Sequence, residues 1–111
     1  MEINRGDIWL VNLSPIIGHE QSGTRPALVI SDNLFNHGPS EMVIVLPVTS
    51  KNKGIPTHVE LEGEYLSLKS YIKTEDIRSI STPRLIKKIG TVNEEILNRV
   101  EQKIKFLLGF K

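Results

Sequence analysis

Apolar residues fall in short alternating or continuous bursts over most of this chain and adopt helical spacing only near its end. Residues 7–13 (Asp-Ile-Trp-Leu-Val-Asn-Leu) are β-prone and lie between Gly6 and Ser14-Pro15, which predicts a first strand buried on both faces, with Trp9 as a packing residue. A second strand is expected over residues 26–31. Asp32-Asn33-Leu34-Phe35-Asn36 then reads as one helical turn ending at His37-Gly38-Pro39, with His37 at the surface. Residues 42–48 form the most apolar strand, and the internal Pro47 implies an edge position or a bulge near its end. In residues 58–62, Val59 and Leu61 alternate with polar neighbours, the mark of a half-exposed antiparallel strand with His58 and Glu60 turned to solvent. Residues 70–73 and 77–81 read as two short strands, or one bent strand, around Thr74-Glu75-Asp76.

The end of the chain carries the clearest helix. Thr91-Val92-Asn93-Glu94 has capping-box spacing, Ile96, Leu97, Val100, Ile104, Leu107 and Leu108 recur on one face, and Gly109 stops the run. That face must pack on the sheet or on a second protomer. Five to seven mostly antiparallel strands, a short helix between strands and a C-terminal helix define a mainly β fold with α, a small bent barrel closed by a helix. At 111 residues, the whole length 1–111 is expected to form a single domain. Fold alone does not decide what such barrels do.

Composition removes several chemistries. There is no cysteine, which excludes disulfides, thiol nucleophiles and thiolate metal sites, and the three histidines, His19, His37 and His58, lie far apart. No metal or other cofactor is expected. Phosphate-binding glycine loops and a nucleophile elbow are absent. Residues 1–5 do not open like a signal peptide and no apolar run is long enough to span a bilayer, so a cytoplasmic protein without membrane association is expected. The net charge of +1 hides an asymmetry: residues 1–50 hold two basic and five acidic residues, −3, and residues 51–111 hold twelve basic and eight acidic, +4. Lys51, Lys53, Lys69, Lys73, Arg78, Arg84, Lys87 and Lys88 are candidates for a basic stripe that would suit a polyanion.

The stretch Gly18-His19-Glu20-Gln21-Ser22-Gly23-Thr24-Arg25-Pro26 is longer and more functionalised than a hairpin turn needs. Arg25 stands where loop becomes strand, so the sheet fixes its stem while its planar, permanently charged head projects, a good donor to phosphate. The plainer reading pairs it with Glu20. Thr49 and Ser50 follow the Pro47 strand, and hydroxyls there either cap a turn or donate to a phosphate or ribose oxygen.

Taken together, Arg5-Gly6-Asp7-Ile8-Trp9, Gly18-His19-Glu20-Gln21, Gly23-Thr24-Arg25-Pro26, Leu46-Pro47-Val48-Thr49-Ser50, Lys53-Gly54-Ile55-Pro56, Asp76-Ile77-Arg78-Ser79-Ile80 and Gly90-Thr91-Val92 resemble the MazF/PemK (Kid-like) toxins of bacterial type II toxin-antitoxin systems. The resemblance spans almost the whole chain. It implies an SH3-like, PemK-like barrel that dimerises and cuts single-stranded messenger RNA as a sequence-selective endoribonuclease. No metal takes part: the ribose 2′-hydroxyl attacks the adjacent phosphorus, leaving a 2′,3′-cyclic phosphate and a 5′-hydroxyl. The partner implied is a cognate antitoxin (MazE/PemI-like) whose acidic tail lies in the RNA groove.

Arg25 and Thr49 match the family's catalytic pair, and an arginine suits charge stabilisation and not proton abstraction. The general base is left open among His19, Glu20 and Glu75. Implied RNA contacts are Gln21, Ser22 and Thr24 on the first loop, Ser50, Lys51 and Lys53 after the Thr-Ser step, and Lys73, Asp76 and Arg78 further on. Two positions depart from the pattern: Lys73 and Glu75 stand where the PemK branch has an Arg and an Asp, and Asp76 stands where many members have Gln. The rival reading is a non-catalytic, gyrase-poison-like (CcdB-like) barrel acting by binding another protein.

Overall fold

The computed structural model describes residues 2–14, 23–62 and 66–110. Its strands are β1 (Asp7–Asn12), β2 (Thr24–Val29), β3 (Met42–Thr49), β4 (His58–Leu61), β5 (Ser70–Lys73), β6 (Arg78–Ser81) and β7 (Leu85–Thr91); its helices are α1 (Asn33–Asn36) and α2 (Glu94–Leu108). Every ladder is antiparallel, in the order β4-β5-β3-β2-β1-β7, with β6 also on β3. No ladder among the described residues joins β4 to β7, so the bent sheet stays open.

The near-continuous apolar runs of β1 to β3 follow from two cores. Successive side chains point to opposite faces. Ile8, Leu28, Leu46 and Val48 therefore pack on one side with Leu61, Ile72 and Val100, while Trp9, Val11, Ala27, Val29 and Val45 pack on the other. Trp9 is a core residue, as its setting in the first strand predicts. A further strand, β7, has no clear signature in the sequence because Lys87 and Lys88 interrupt its apolar pattern.

Pro47 does not lie on an edge strand. β3 has β2 on one side, and its other edge is divided: Met42 to Val45 pair with β6, and Val48 and Thr49 pair with β5. The expected bend is in the partner, which leaves the ladder as a 3-10 turn, Thr74–Asp76, between β5 and β6. No ladder partner falls opposite Leu46 or Pro47 on that edge, and proline has no N–H to lose there.

The N-terminal segment is locked by a buried carboxylate. Asp7, 1% exposed, accepts from the Asn4 N–H (2.9 Å), Trp9 Nε1 (3.3 Å) and the Thr91 hydroxyl (3.1 Å), and pairs with Lys88 Nζ at 3.3 Å. Because Thr91 is engaged there, the α2 cap shifts from the expected Thr91 to Asn93, whose Oδ1 accepts the Ile96 N–H at 2.9 Å. The helix stops at Gly109, φ +76°, as its position predicts. Cover on its apolar face thins toward the end: Ile96, Leu97 and Val100 are buried and Ile104 packs partly buried on the same core, whereas Leu107 and Leu108 are 37% and 51% exposed. α1 forms as expected, with Asp32 Oδ2 accepting the Leu34 N–H at 2.9 Å.

Gly6 joins these parts. Its N–H donates to the Val29 carbonyl (2.8 Å), its carbonyl accepts the Val92 N–H (2.9 Å), and its φ is +93°. A Cβ at Gly6 would stand 3.3 Å from Leu97 Cδ1, while one at Gly109 would meet nothing within 4 Å. Gly109→Ala should therefore cost about 1 kcal/mol of backbone strain. Gly6→Ala should cost about 2–3 kcal/mol, since Leu97 must also move. Urea midpoints of the two variants against the parent check this order.

Candidate active site

The ends of β2, β3, β4 and β5 meet around a cleft of about 480 Å³. Ala27 lies opposite Pro47, so two residues further out on each strand Arg25 and Thr49 fall on the same face of the sheet, and both line the cleft. Arg25 is exposed at the start of β2. Thr49 is 6% exposed, and its Oγ1 accepts the Lys51 N–H at 3.2 Å. The turn-capping reading of Thr49 thus holds, but it occupies only a lone pair and leaves the hydroxyl hydrogen to donate elsewhere.

The foot of β2 is braced from behind. The Leu13 N–H donates to the Gly23 carbonyl and the Gly23 N–H to Ser14 Oγ, both at 2.9 Å. Arg84 Nη1 donates to the carbonyls of Asn12, at 3.1 Å, and Ser14. Across the cleft, Lys73 Nζ stands 3.9 Å from Asp76 Oδ2. Ser50, Lys51, Lys53 and Ile55 line the side contributed by the loop after β3. Four cations (Arg25, Lys51, Lys53, Lys73) face two carboxylates (Glu75, Asp76), so the cleft carries a positive excess suited to a polyanion.

Glu75 is fully engaged. Oε1 accepts the Thr57 hydroxyl at 2.8 Å and Oε2 contacts His58 Nε2 at 3.0 Å. Burial pushes this carboxyl's pKa up, but its own backbone N–H, the Thr57 hydroxyl and His58 outweigh that and hold it below the ordinary glutamate value of 4.5. The Thr74 hydroxyl donates in turn to the Thr57 carbonyl.

Several expectations need correction. His58 does not face solvent beside Glu60: its side chain is 4% exposed and bound to Glu75, while Glu60 pairs with Lys69 at 3.2 Å. The sequence alternation of β4 is real, but the 3-10 turn folds over the polar face at His58. No spacing within residues 58–62 signals that partner, seventeen positions away. The basic stripe also divides. Lys51, Lys53 and Lys73 reach the cleft, whereas Lys69 and Lys88 are paired with Glu60 and Asp7 and Arg84 braces carbonyls. Arg78, opposite Val45, does not line the cleft, and its Nη1 is buried without a hydrogen-bond partner among the described residues. Thr24 is exposed at the start of β2, outside the cleft lining. His19, Glu20, Gln21 and Ser22 lie outside the described residues.

Residues 4–108 match the family model of the PemK-like, MazF-like toxin of type II toxin-antitoxin system. Endoribonuclease EndoA of Bacillus subtilis (strain 168) is 33% identical over 112 residues, covering 98% of this chain and 97% of that protein. The crystal structure of MazF from Deinococcus radiodurans superposes with a TM-score of 0.88 at 30% identity over 98% of each chain. A MazE-MazF crystal structure from the same organism gives 0.84 at 29% identity, covering 100% of this chain and 99% of that one. These likenesses agree with the sequence reading of both fold and family. The chain belongs to the PemK-like, MazF-like toxins of type II toxin-antitoxin systems.

Proposed function

We propose that this toxin is an endoribonuclease that cuts single-stranded RNA, chiefly messenger RNA, at a selected sequence and without a metal. The observation that carries the reading is Arg25 and Thr49 on one face of a cleft with a positive excess. The name of the 33% identical EndoA supports it. In the reaction, the ribose 2′-oxygen bonds to phosphorus as the bond to the 5′-oxygen breaks, yielding a 2′,3′-cyclic phosphate and a 5′-hydroxyl. Negative charge grows on the phosphoryl oxygens. The Arg25 guanidinium meets that charge, and the Thr49 hydroxyl, already an acceptor from Lys51, donates to one of the oxygens.

The 2′-hydroxyl proton needs an acceptor, and the departing 5′-oxygen takes up a proton in its place, so the net reaction moves one proton from the 2′- to the 5′-oxygen. A carboxylate tied to three donors and held below its usual range is a weak base, so Glu75 suits a structural role and the base is His19 or Glu20. Lys51, Lys53 and Lys73 hold the RNA backbone, and Ser50 and Asp76 contact it or its bases along the same walls. An antitoxin with an acidic tail would occupy this positive cleft in competition with RNA, as a MazE-like partner. The exposed apolar end of α2 fits a homodimer contact. Among the described residues no helix is long and apolar enough to cross a membrane, and a messenger RNA target places the activity in the cytoplasm.

Four outcomes follow. In chelator, the protein should cut a mixed-sequence RNA and leave DNA of the same sequence intact, because DNA lacks the nucleophile. Arg25→Ala should fold and lose about 10²–10³-fold in rate; cutting of DNA, or an unimpaired Arg25→Ala, would refute the proposal. Leu108→Glu should lower the mass measured by sedimentation from dimer to monomer at micromolar concentrations, while a parent already monomeric there refutes the α2 contact. Finally, Glu75 contributes stability above its unfolded value near 4.5, and that contribution is lost as pH falls through its lower folded value. The stability gap between parent and Glu75→Gln, measured by urea unfolding, should hold from pH 7 to pH 5 and close as acid protonates Glu75.

A further inference from the structure

The wall of the cleft that carries Asp76, directly after Lys73 at the end of β5, is a 3-10 turn of three residues, too short to hold its place through its own hydrogen bonds. Lys73, which precedes it, supplies no side-chain cap. What fixes the turn is the start of β4. The Thr74 hydroxyl reaches the Thr57 carbonyl, the Thr57 hydroxyl returns to one oxygen of Glu75 at 2.8 Å, and His58 Nε2 takes the other at 3.0 Å. The His58 side chain is 4% exposed, and its Nδ1 is buried with no hydrogen-bond partner among the described residues. Among the described residues, Glu75 is thus the polar tie of this ring.

One nitrogen engaged and the other sealed from solvent leave His58 with no atom poised to take a proton from substrate. We infer that His58 is a positioning residue: through Glu75 it fixes the turn whose Asp76 stands 3.9 Å from the Lys73 ammonium, opposite Arg25 and Thr49, and so sets how tightly RNA is held. The rate of bond cleavage, assigned to Arg25 and Thr49, is left nearly untouched. This inference rests on the ribonuclease reading, and it deepens that reading by separating the residues that hold RNA from those that cut it.

The test measures kcat and KM on a mixed-sequence RNA, and Kd for the same RNA fully 2′-O-methylated, which removes the nucleophile. His58→Leu should raise KM and Kd about tenfold, the worth of one charge-assisted hydrogen bond, with kcat within about twofold of the parent. His58→Gln, whose amide N–H can still donate to Glu75, should recover binding to within about threefold of the parent. A fall in kcat at unchanged KM would make His58 a catalytic group and overturn the inference, as would parental values of all three constants. If His58→Leu does not fold, Thr57→Val removes the other side-chain donor to Glu75 and should give the same rise in KM and Kd. A parent that binds the methylated RNA but cuts nothing would refute the nuclease reading alone, since the effect of His58→Leu on Kd would still be measurable.

Discussion

The divided edge of β3 is the constraint on which the site depends. One strand of eight residues pairs first with β6 and then with β5, and between the two ladders its partner must leave the plane of the sheet. Pro47 sits at that interval with no N–H to leave unpaired, so the departure forfeits one backbone bond fewer than at any other residue. The short turn released there carries Glu75 and Asp76 up beside the end of β3, where Thr49 stands. A continuous β5-β6 strand would keep both carboxylates in the ladder and the cleft would lose a wall.

Electrostatics divides the charged residues by task. Asp7 and Glu75 are both saturated with donors, one at the base of the sheet and one at the cleft, and each ties together segments distant in sequence. A carboxylate in that condition contributes order. The cations that reach the cleft come from three places: the start of β2, the loop after β3 and the end of β5. Their convergence, and not the net charge of the chain, gives the cleft its positive excess.

α2 likewise serves two purposes along one apolar stripe. Its first two turns complete the core beneath β4 and β5, and in its last two turns Ile104 still packs on that core while Phe106 and Leu108 are exposed. Thr74, Glu75 and Ile77 line one side of a small groove whose other side is Ile104, Leu107 and Leu108. Glu75 therefore belongs to the walls of both this groove and the cleft. Whatever covers the end of α2 touches the turn that shapes the site.

The residues alone determined much of this. Local pattern set strands β1 to β6, the place of α1 and the end of α2 at Gly109, because those features depend on neighbours within a few positions. Arg25 was legible as a candidate because a cation restrained by a following proline, at the junction of a polar loop and an apolar strand, projects its head from the sheet, and the fold puts it in the cleft lining. Thr49 became its companion only through family resemblance, and the register of β2 on β3 supplies the physical reason.

What the tertiary structure decided are the long-range pairings. Pro47 reads locally as an edge signal, but in the folded sheet the central strand tolerates it because the gap falls in its partner. His58 reads as a solvent-facing strand residue, and only the turn folding over it brings Glu75 within 3.0 Å. Thr91 reads as a helix cap until Asp7, 84 positions away, takes its hydroxyl and hands the cap to Asn93. Local sequence encodes which backbone conformations and burial patterns are cheap, whereas the partner of a polar side chain depends on which distant segment the fold brings to it.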